Sequence, residues 1–273
     1  MLTPFHFISD LVTMIGRVAL LALALWHSCR SGGSSGPQRL ASMPTCAVFS
    51  AAGGSLRCPR SKDWRAAGVV TPVKSQGQCG SCWAFSTVAA VESWVALHGG
   101  GLLDLSEQEL VDCDPVDHGC VGGDLEDPFR YVSSKKGLLL EASYPYESAA
   151  GQCAPPPHQP RFGNVSGCLK IPRGDEEAIR AAVCQKGPVC VGLHAGESFH
   201  RYSGGVFDDP QCGTHLNHGV LIVGYGTSEE DGPFWLLKNS WGTHWGEGGY
   251  MRMRRAGPGD GVCGINLYAV MPA

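Results

Sequence analysis

The polarity pattern divides the chain into a front half of helix-like periods and a back half of short strand-like runs. From Cys82 to Leu97 apolar residues recur at helical spacing, with Trp83, Ala84 and Phe85 early and Val88, Val91 and Val95 later. Gly99-Gly100-Gly101 ends that pattern. Ser106 followed by Glu109 fits a capping box, which predicts a short helix through Val111. Further helices are predicted from Leu125 to Lys135, stopped by Gly137, and from Glu176 to Gln185, stopped by Gly187-Pro188. Beyond them, residues Val189–Leu193, Val220–Val223, Phe234–Lys238 and Tyr250–Met253 are apolar or alternating runs bounded by Gly and Pro, which read as strands. Helices first and strands later predict an α+β chain of two lobes, and a cleft between lobes is a common ligand site.

Upstream of Asp63 the pattern is different. Residues 31–60 are rich in Ser, Gly and Pro and have little periodicity, so they read as a linker, with order expected from about Asp63. Val18–Trp26 is a nine-residue apolar run preceded by Arg17. That length suits a secretory signal within residues 1–30; an uncleaved anchor is the other reading, although a membrane span takes about 20 apolar residues.

Composition narrows the function. The 273 residues are 43% hydrophobic, enough for a sizeable core. Lys and Arg number 21 against 25 Asp and Glu, without a basic stripe, which argues against nucleic-acid binding. The 38 glycines are roughly twice the usual share and point to turns and close backbone contacts. Thirteen cysteines suggest disulfides in an oxidising compartment, or metal ligands in a reducing one.

The most informative stretch is Gln76-Gly77-Gln78-Cys79-Gly80-Ser81-Cys82-Trp83. Its Cys-Gly-Ser-Cys-Trp core is a known signature around a nucleophilic cysteine with His and Asn far downstream. A thiol of ordinary pKa is only a few per cent thiolate at neutral pH, and a helix N-terminus at Cys82 would favour the thiolate. On spacing alone, Cys79 and Cys82 could also be a redox pair or metal ligands. His218 opens an apolar strand 136 residues after Cys82, and Asn239 follows another strand. Together they supply a base and an amide to orient it.

Two further blocks follow in order: Leu216-Asn217-His218-Gly219 through Gly226, and Lys238-Asn239-Ser240-Trp241 through Tyr250. With these three blocks the chain resembles the papain-like cysteine proteases over Ser61–Ala273. The resemblance implies a two-lobed α+β fold, a helical N-terminal lobe and a barrel-like C-terminal lobe flanking the cleft. It implies an endopeptidase with Cys82 as nucleophile, His218 as general base and acid, and Asn239 orienting His218. Gln76 would be the oxyanion donor, and Trp241 would cover the Asn239–His218 hydrogen bond. Gly122 and Gly123 match the strip on which a substrate pairs as a strand. Asp124, Leu125, Gly192, Leu216 and Tyr268 match positions shaping the pocket for the second residue before the cut. Tyr268 would close that pocket's floor and favour medium-sized apolar side chains, while Asp124 departs from the family's usual apolar or aromatic residue.

The resemblance also implies the disulfides Cys79–Cys120, Cys113–Cys153 and Cys212–Cys263, leaving Cys82 free. Cys168, Cys184 and Cys190 lie in apolar contexts and read as buried thiols, with a bridge among them as the alternative. Neither cofactor nor metal is implied. The implied partners are protein and peptide substrates and cystatin-like inhibitors, with the chain a monomer in the secretory pathway, a lysosome or vacuole, or outside the cell. Membrane association is expected only through an uncleaved anchor. Asn164-Val165-Ser166 is a glycosylation acceptor for a secreted chain. Family zymogens carry a long helical pro-region; residues 31–60 show no amphipathic helix, which sets this N-terminus apart. Two other classes compete: a catalytically silent binding or storage protein on the same scaffold, and a thiol–disulfide oxidoreductase.

Overall fold

The computed structural model describes residues 46–50 and 58–273. The apolar run Val18–Trp26 and Cys29 lie outside the described residues. Strands β1 (Ala47–Val48) and β2 (Lys62–Asp63) lead into helices α1 (Cys82–Leu97), α2 (Glu107–Cys113) and α3 (Asp127–Lys135). Then come β3 (Cys168–Lys170), α4 (Glu176–Gln185), β4 (Val189–Leu193), the single turn α5 (Glu197–His200) and β5 (Val206–Phe207). The chain ends with β6 (His218–Ser228), β7 (Gly232–Lys238), β8 (Tyr250–Arg254) and β9 (Ala269–Pro272).

Each helix starts and stops for a local reason. Ser106 Oγ accepts the Glu109 N–H and Asp175 accepts the Ala178 N–H, so α2 and α4 begin on side-chain caps. Lys136 at φ 60° ends α3 in a left-handed turn. Almost every side of α1 from Trp83 to Ser93 is buried, as for a helix that is apolar all round. It packs against β6 on one side and α2 and α3 on another. Around it gathers one core with Leu110, Phe129, Leu138, Leu221 and Val270. A second core, with Ile179, Val191, Val220, Trp235 and Met251, fills the sheet-rich lobe.

The strands follow the order β1-β3-β9-β4-β6-β7-β8-β5, with β2 pairing β6 to the side. This sheet is an open path, so the barrel-like lobe is wrapped and not closed. β6 is far longer than the Val220–Val223 run because its flanking Gly, Tyr and Thr also pair with β7. Order begins upstream of Asp63. The expected linker contains β1, whose Ala47 and Val48 pair in parallel with Leu169 and Lys170.

The structure contains Cys79–Cys120, Cys113–Cys153 and Cys212–Cys263. It also corrects the reading of two cysteines as buried thiols. Cys168 bonds Cys46 and Cys184 bonds Cys58, with Cα atoms 4.7 Å and 5.9 Å apart. The apolar surroundings of Cys168 and Cys184 gave no sign of partners over 120 residues away, on a segment that lacks periodicity. Cys190 remains a free thiol, fully buried, donating to the Ser86 carbonyl. Asn164 is exposed in a loop beside the buried Val165.

Candidate active site

Three elements converge on one point. The first residue of α1 is Cys82, the first of β6 is His218, and Asn239 directly follows β7. Strands β6 and β7 pair antiparallel with Leu221 opposite Lys238, which carries the ends bearing His218 and Asn239 to the same place. Helix α1 reaches β6 because residue 219 is glycine. A Cβ there would stand 3.2 Å from Ser86 Oγ and from Leu125 Cδ2, and 3.4 Å from the Cys82 carbonyl oxygen. Cys82 and His218 line the same cavity of about 900 Å³ between the lobes.

Cys82 is an unbonded, half-buried cysteine, and Cys79, its neighbour in the motif, bonds Cys120 instead. A redox couple of Cys79 and Cys82 is therefore absent. Among the described residues no cluster of His, Cys, Asp and Glu could hold a metal ion. Burial pushes the Cys82 thiol up, while N–H groups of Gly219, Trp83 and Cys82 itself, facing the sulfur, pull it down.

His218 is buried, and its Nε2 lies 2.8 Å from Asn239 Oδ1. That oxygen also accepts the Ser240 N–H at 2.8 Å, which identifies it as the amide oxygen. Nε2 therefore carries the hydrogen and donates, leaving Nδ1 as the basic nitrogen of the neutral ring. Burial pushes His218 down from 6.5 to about 4, partly offset by the bond to Asn239, with the nearby His200 adding to the fall. Taken singly, burial holds the thiol and the imidazole neutral. Proton transfer between them makes an ion pair of zero net charge, whose mutual attraction in a low-dielectric cleft works against both shifts.

The ring of Trp241 lies 4.7 Å from that of His218, and Phe199 meets it edge-on at 5.9 Å. Asn239 Nδ2 is buried with no hydrogen-bond partner. Gln76 is fixed through both ends of its amide. Ser240 Oγ donates to Oε1 at 2.6 Å, and Nε2 donates to the Cys79 carbonyl at 2.8 Å. One Nε2 hydrogen is thereby left over, on a side chain that lines the cavity. Tyr146 braces this corner, donating to the Gln76 carbonyl and bonding Ser81 Oγ.

The other expected residues line the same cavity: Gly122, Gly123, Asp124, Leu125, Gly192, Leu216 and Tyr268. The hydroxyl of Tyr268 donates to Asp124 Oδ1 across the cleft. Burial, together with the Asp124 carboxylate, pushes Tyr268 up, so its hydroxyl keeps its hydrogen. Gly123 has a structural reason of its own: a Cβ would come within 2.6 Å of the Trp83 ring and 2.7 Å of Asp117 Oδ1. Three contributors escaped the sequence reading: Ser240, Tyr146 and His200, whose ring stacks on Trp241 at 4.5 Å. Ser240 lay inside a quoted motif, but nothing in the residues near Tyr146 or His200 distinguishes them.

A model described as papain family cysteine protease matches residues 58–273. The chain belongs to the papain family. Among its papain-family relatives, cysteine endopeptidase Rep1 of Oryza sativa subsp. japonica is 48% identical over 218 residues, covering 78% of this chain and 58% of that protein. A cathepsin L-like peptidase of Aedes aegypti is 46% identical over 224 residues, covering 80% of this chain and 65% of its own length. The chain thus spans about three-fifths of the length of the curated relatives it matches. Among solved structures, the bromelain protease of Ananas comosus in complex with the E64 inhibitor superposes with a TM-score of 0.75 at 42% identity. That match covers 79% of this chain and 99% of the bromelain chain. The digestive procathepsin L2 of Tenebrio molitor larval midgut gives 0.77 at 41% identity, over 84% of this chain and 74% of its own. Both have the two-lobed α+β fold of the family.

Proposed function

We propose that this papain-family chain is a cysteine endopeptidase that cleaves peptide bonds through a thioester on Cys82. The observation that carries the reading is a free cysteine at a helix N-terminus, in one cleft with a histidine whose Nε2–H is held by Asn239. His218 Nδ1 takes the Cys82 proton, and the thiolate attacks the substrate carbonyl carbon, forming the S–C bond. The carbonyl oxygen becomes an oxyanion, held by the free Gln76 Nε2 hydrogen and the Cys82 N–H. The C–N bond then breaks as His218 gives its proton to the departing amine. A water surrenders a proton to His218, its oxygen attacks the thioester, and the S–C bond breaks to release the acid and restore the thiolate. Trp241 and Phe199 keep bulk water off the His218–Asn239 bond, which strengthens it.

The acyl half of the substrate lies along Gly122 and Gly123. The residue before the last one of that half enters the pocket of Leu125, Gly192, Leu216 and Tyr268, with Asp124 bonded to Tyr268 at the rim. That pocket suits medium-sized apolar side chains. The segment from Cys120 to Cys153 has no long His-bearing insertion to block one end of the cleft, which favours internal cleavage. The domain that does this is residues 61–273. Five disulfides support an oxidising compartment: secretory, lysosomal or vacuolar, or extracellular. The test is labelling with E64, the inhibitor bound in the bromelain structure. Stoichiometric label on Cys82 matched by loss of peptide hydrolysis is expected; label elsewhere, or hydrolysis surviving full labelling, overturns the reading.

A further inference from the structure

The cleft lining contains no Lys or Arg and one carboxylate, Asp124, which already accepts the Tyr268 hydroxyl. Its groups able to carry positive charge are the imidazoles of His200, His215 and His218, of which His215 adjoins Leu216 in the acyl-side pocket. His218 is occupied with Asn239, whereas His200 is exposed on the cleft wall. Its ring lies flat on Trp241, with centroids 4.5 Å apart and planes within 7°. The backbone beneath it is pinned as well, since Trp245 Nε1–H donates to the His200 carbonyl at 3.2 Å. Among the described residues no carboxylate pairs with His200, and neither ring nitrogen has a hydrogen-bond partner; the neighbouring acid Glu197 is taken by Arg201. The result is a rigidly held, unpartnered imidazole edge facing a substrate cleft.

Its position assigns the side of the substrate it meets. The acyl half runs over Gly122 and Gly123, so the departing half passes His218 and continues over Trp241, where His200 stands. We propose that His200 is a specificity residue whose imidazolium holds a carboxylate on the leaving-group side of the scissile bond. This rests on the peptidase reading and adds a substrate class to it. A carboxylate there has two sources: an acidic side chain on the first departing residue, or the terminal carboxylate of a departing half one residue long.

The test uses the full chain, with active sites counted by E64, in acidic buffer of low ionic strength. Two pairs of fluorogenic peptides share one acyl half. One pair places Asp or Asn first after the cut in a long peptide; the other departs as a single residue ending in a carboxylate or a carboxamide. In at least one pair the carboxylate member is expected to exceed its neutral twin in kcat/KM by about threefold, a preference lost in high salt. The pair that responds names the source. In His200→Gln, and in His200→Phe, which keeps a ring to stack on Trp241, the ratio falls to about one. Equal rates within both wild-type pairs, a ratio unmoved by salt, or ratios unchanged in both variants would overturn the inference while leaving the peptidase reading intact. No turnover of any peptide by unlabelled enzyme, while a parallel sample titrates fully with E64, would overturn both.

Discussion

At the residue scale, the site depends on how each polar atom is already committed. Gln76 has two of its amide contacts taken by Ser240 and Cys79, which aims what remains at the cleft. Gln76→Ala is expected to lower kcat by ~10²–10³ in a folded protein, as for other single oxyanion donors. An unchanged kcat would remove Gln76 from the mechanism. His218 offers a second prediction, best read in a Cys82→Ser chain that separates imidazole from thiol. Above pH 6.5 the folded and unfolded chains both hold a neutral ring. Between 6.5 and 4 the unfolded chain binds a proton that the buried ring refuses, so stability falls as pH falls, by about 3 kcal/mol in total. The difference in urea unfolding between Cys82→Ser and Cys82→Ser/His218→Ala isolates this group; a flat difference across that window contradicts a buried neutral ring. The proposed nucleophile, base, amide and donor, Cys82, His218, Asn239 and Gln76, stand out in the sequence because they sit in spaced blocks. His200 and Tyr146 do not, because their roles come from stacking and bonding between distant segments.

At the element scale, α1 and α4 were legible to their ends, while α2 runs two residues past Val111 and α3 starts two residues after Leu125; caps and glycine stops are local chemistry. The length of β6 was not legible, because its outer half is stabilised by β7 and not by its own polarity. A buried ionic cluster was equally hidden. Glu92, fully buried in the middle of α1, accepts from Thr71, the Leu105 N–H and Lys74, and Lys74 also pairs with Glu107. Burial works against charge on Lys74, but Glu107 and Glu92 overcome it and raise the ammonium well above its ordinary range. The buried Lys238 ammonium donates to Thr71 at 2.8 Å and is pushed down to about 8 by burial. This cluster ties the residue before Asn239 to the helix bearing Cys82. Glu92→Ala takes the acceptor from the Thr71 hydroxyl and the Leu105 N–H, leaves Lys74 to Glu107 and Asp104, and is expected to cost about 2–5 kcal/mol of stability in urea unfolding. A loss under about 1 kcal/mol would mean that the cluster relaxes without it.

At the scale of the whole molecule, two lobes with separate cores meet along α1 and β6, and the cleft is what their meeting leaves open. The α+β order, helices then strands, made that division readable; which cysteines fasten the upstream segment was not, because pairing across more than 120 residues leaves no periodic trace. On chain-entropy grounds, closing the loop from Cys58 to Cys184, 126 residues apart, stabilises by about 5 kcal/mol before strain. Thermal melting of Cys58→Ser/Cys184→Ser should therefore fall well below that of the parent chain, and an unchanged midpoint would mean that this bond constrains nothing.

The same pair of fastenings governs what a protease nick could accomplish. Cys46 is moored to β3 and Cys58 to the end of α4, so scission anywhere between them severs the polypeptide without freeing either fragment. Such a molecule would migrate as one species on a non-reducing gel and shed a small peptide once dithiothreitol is added. Cleavage between these two cysteines would thus release its fragment only where thiols are available to complete it.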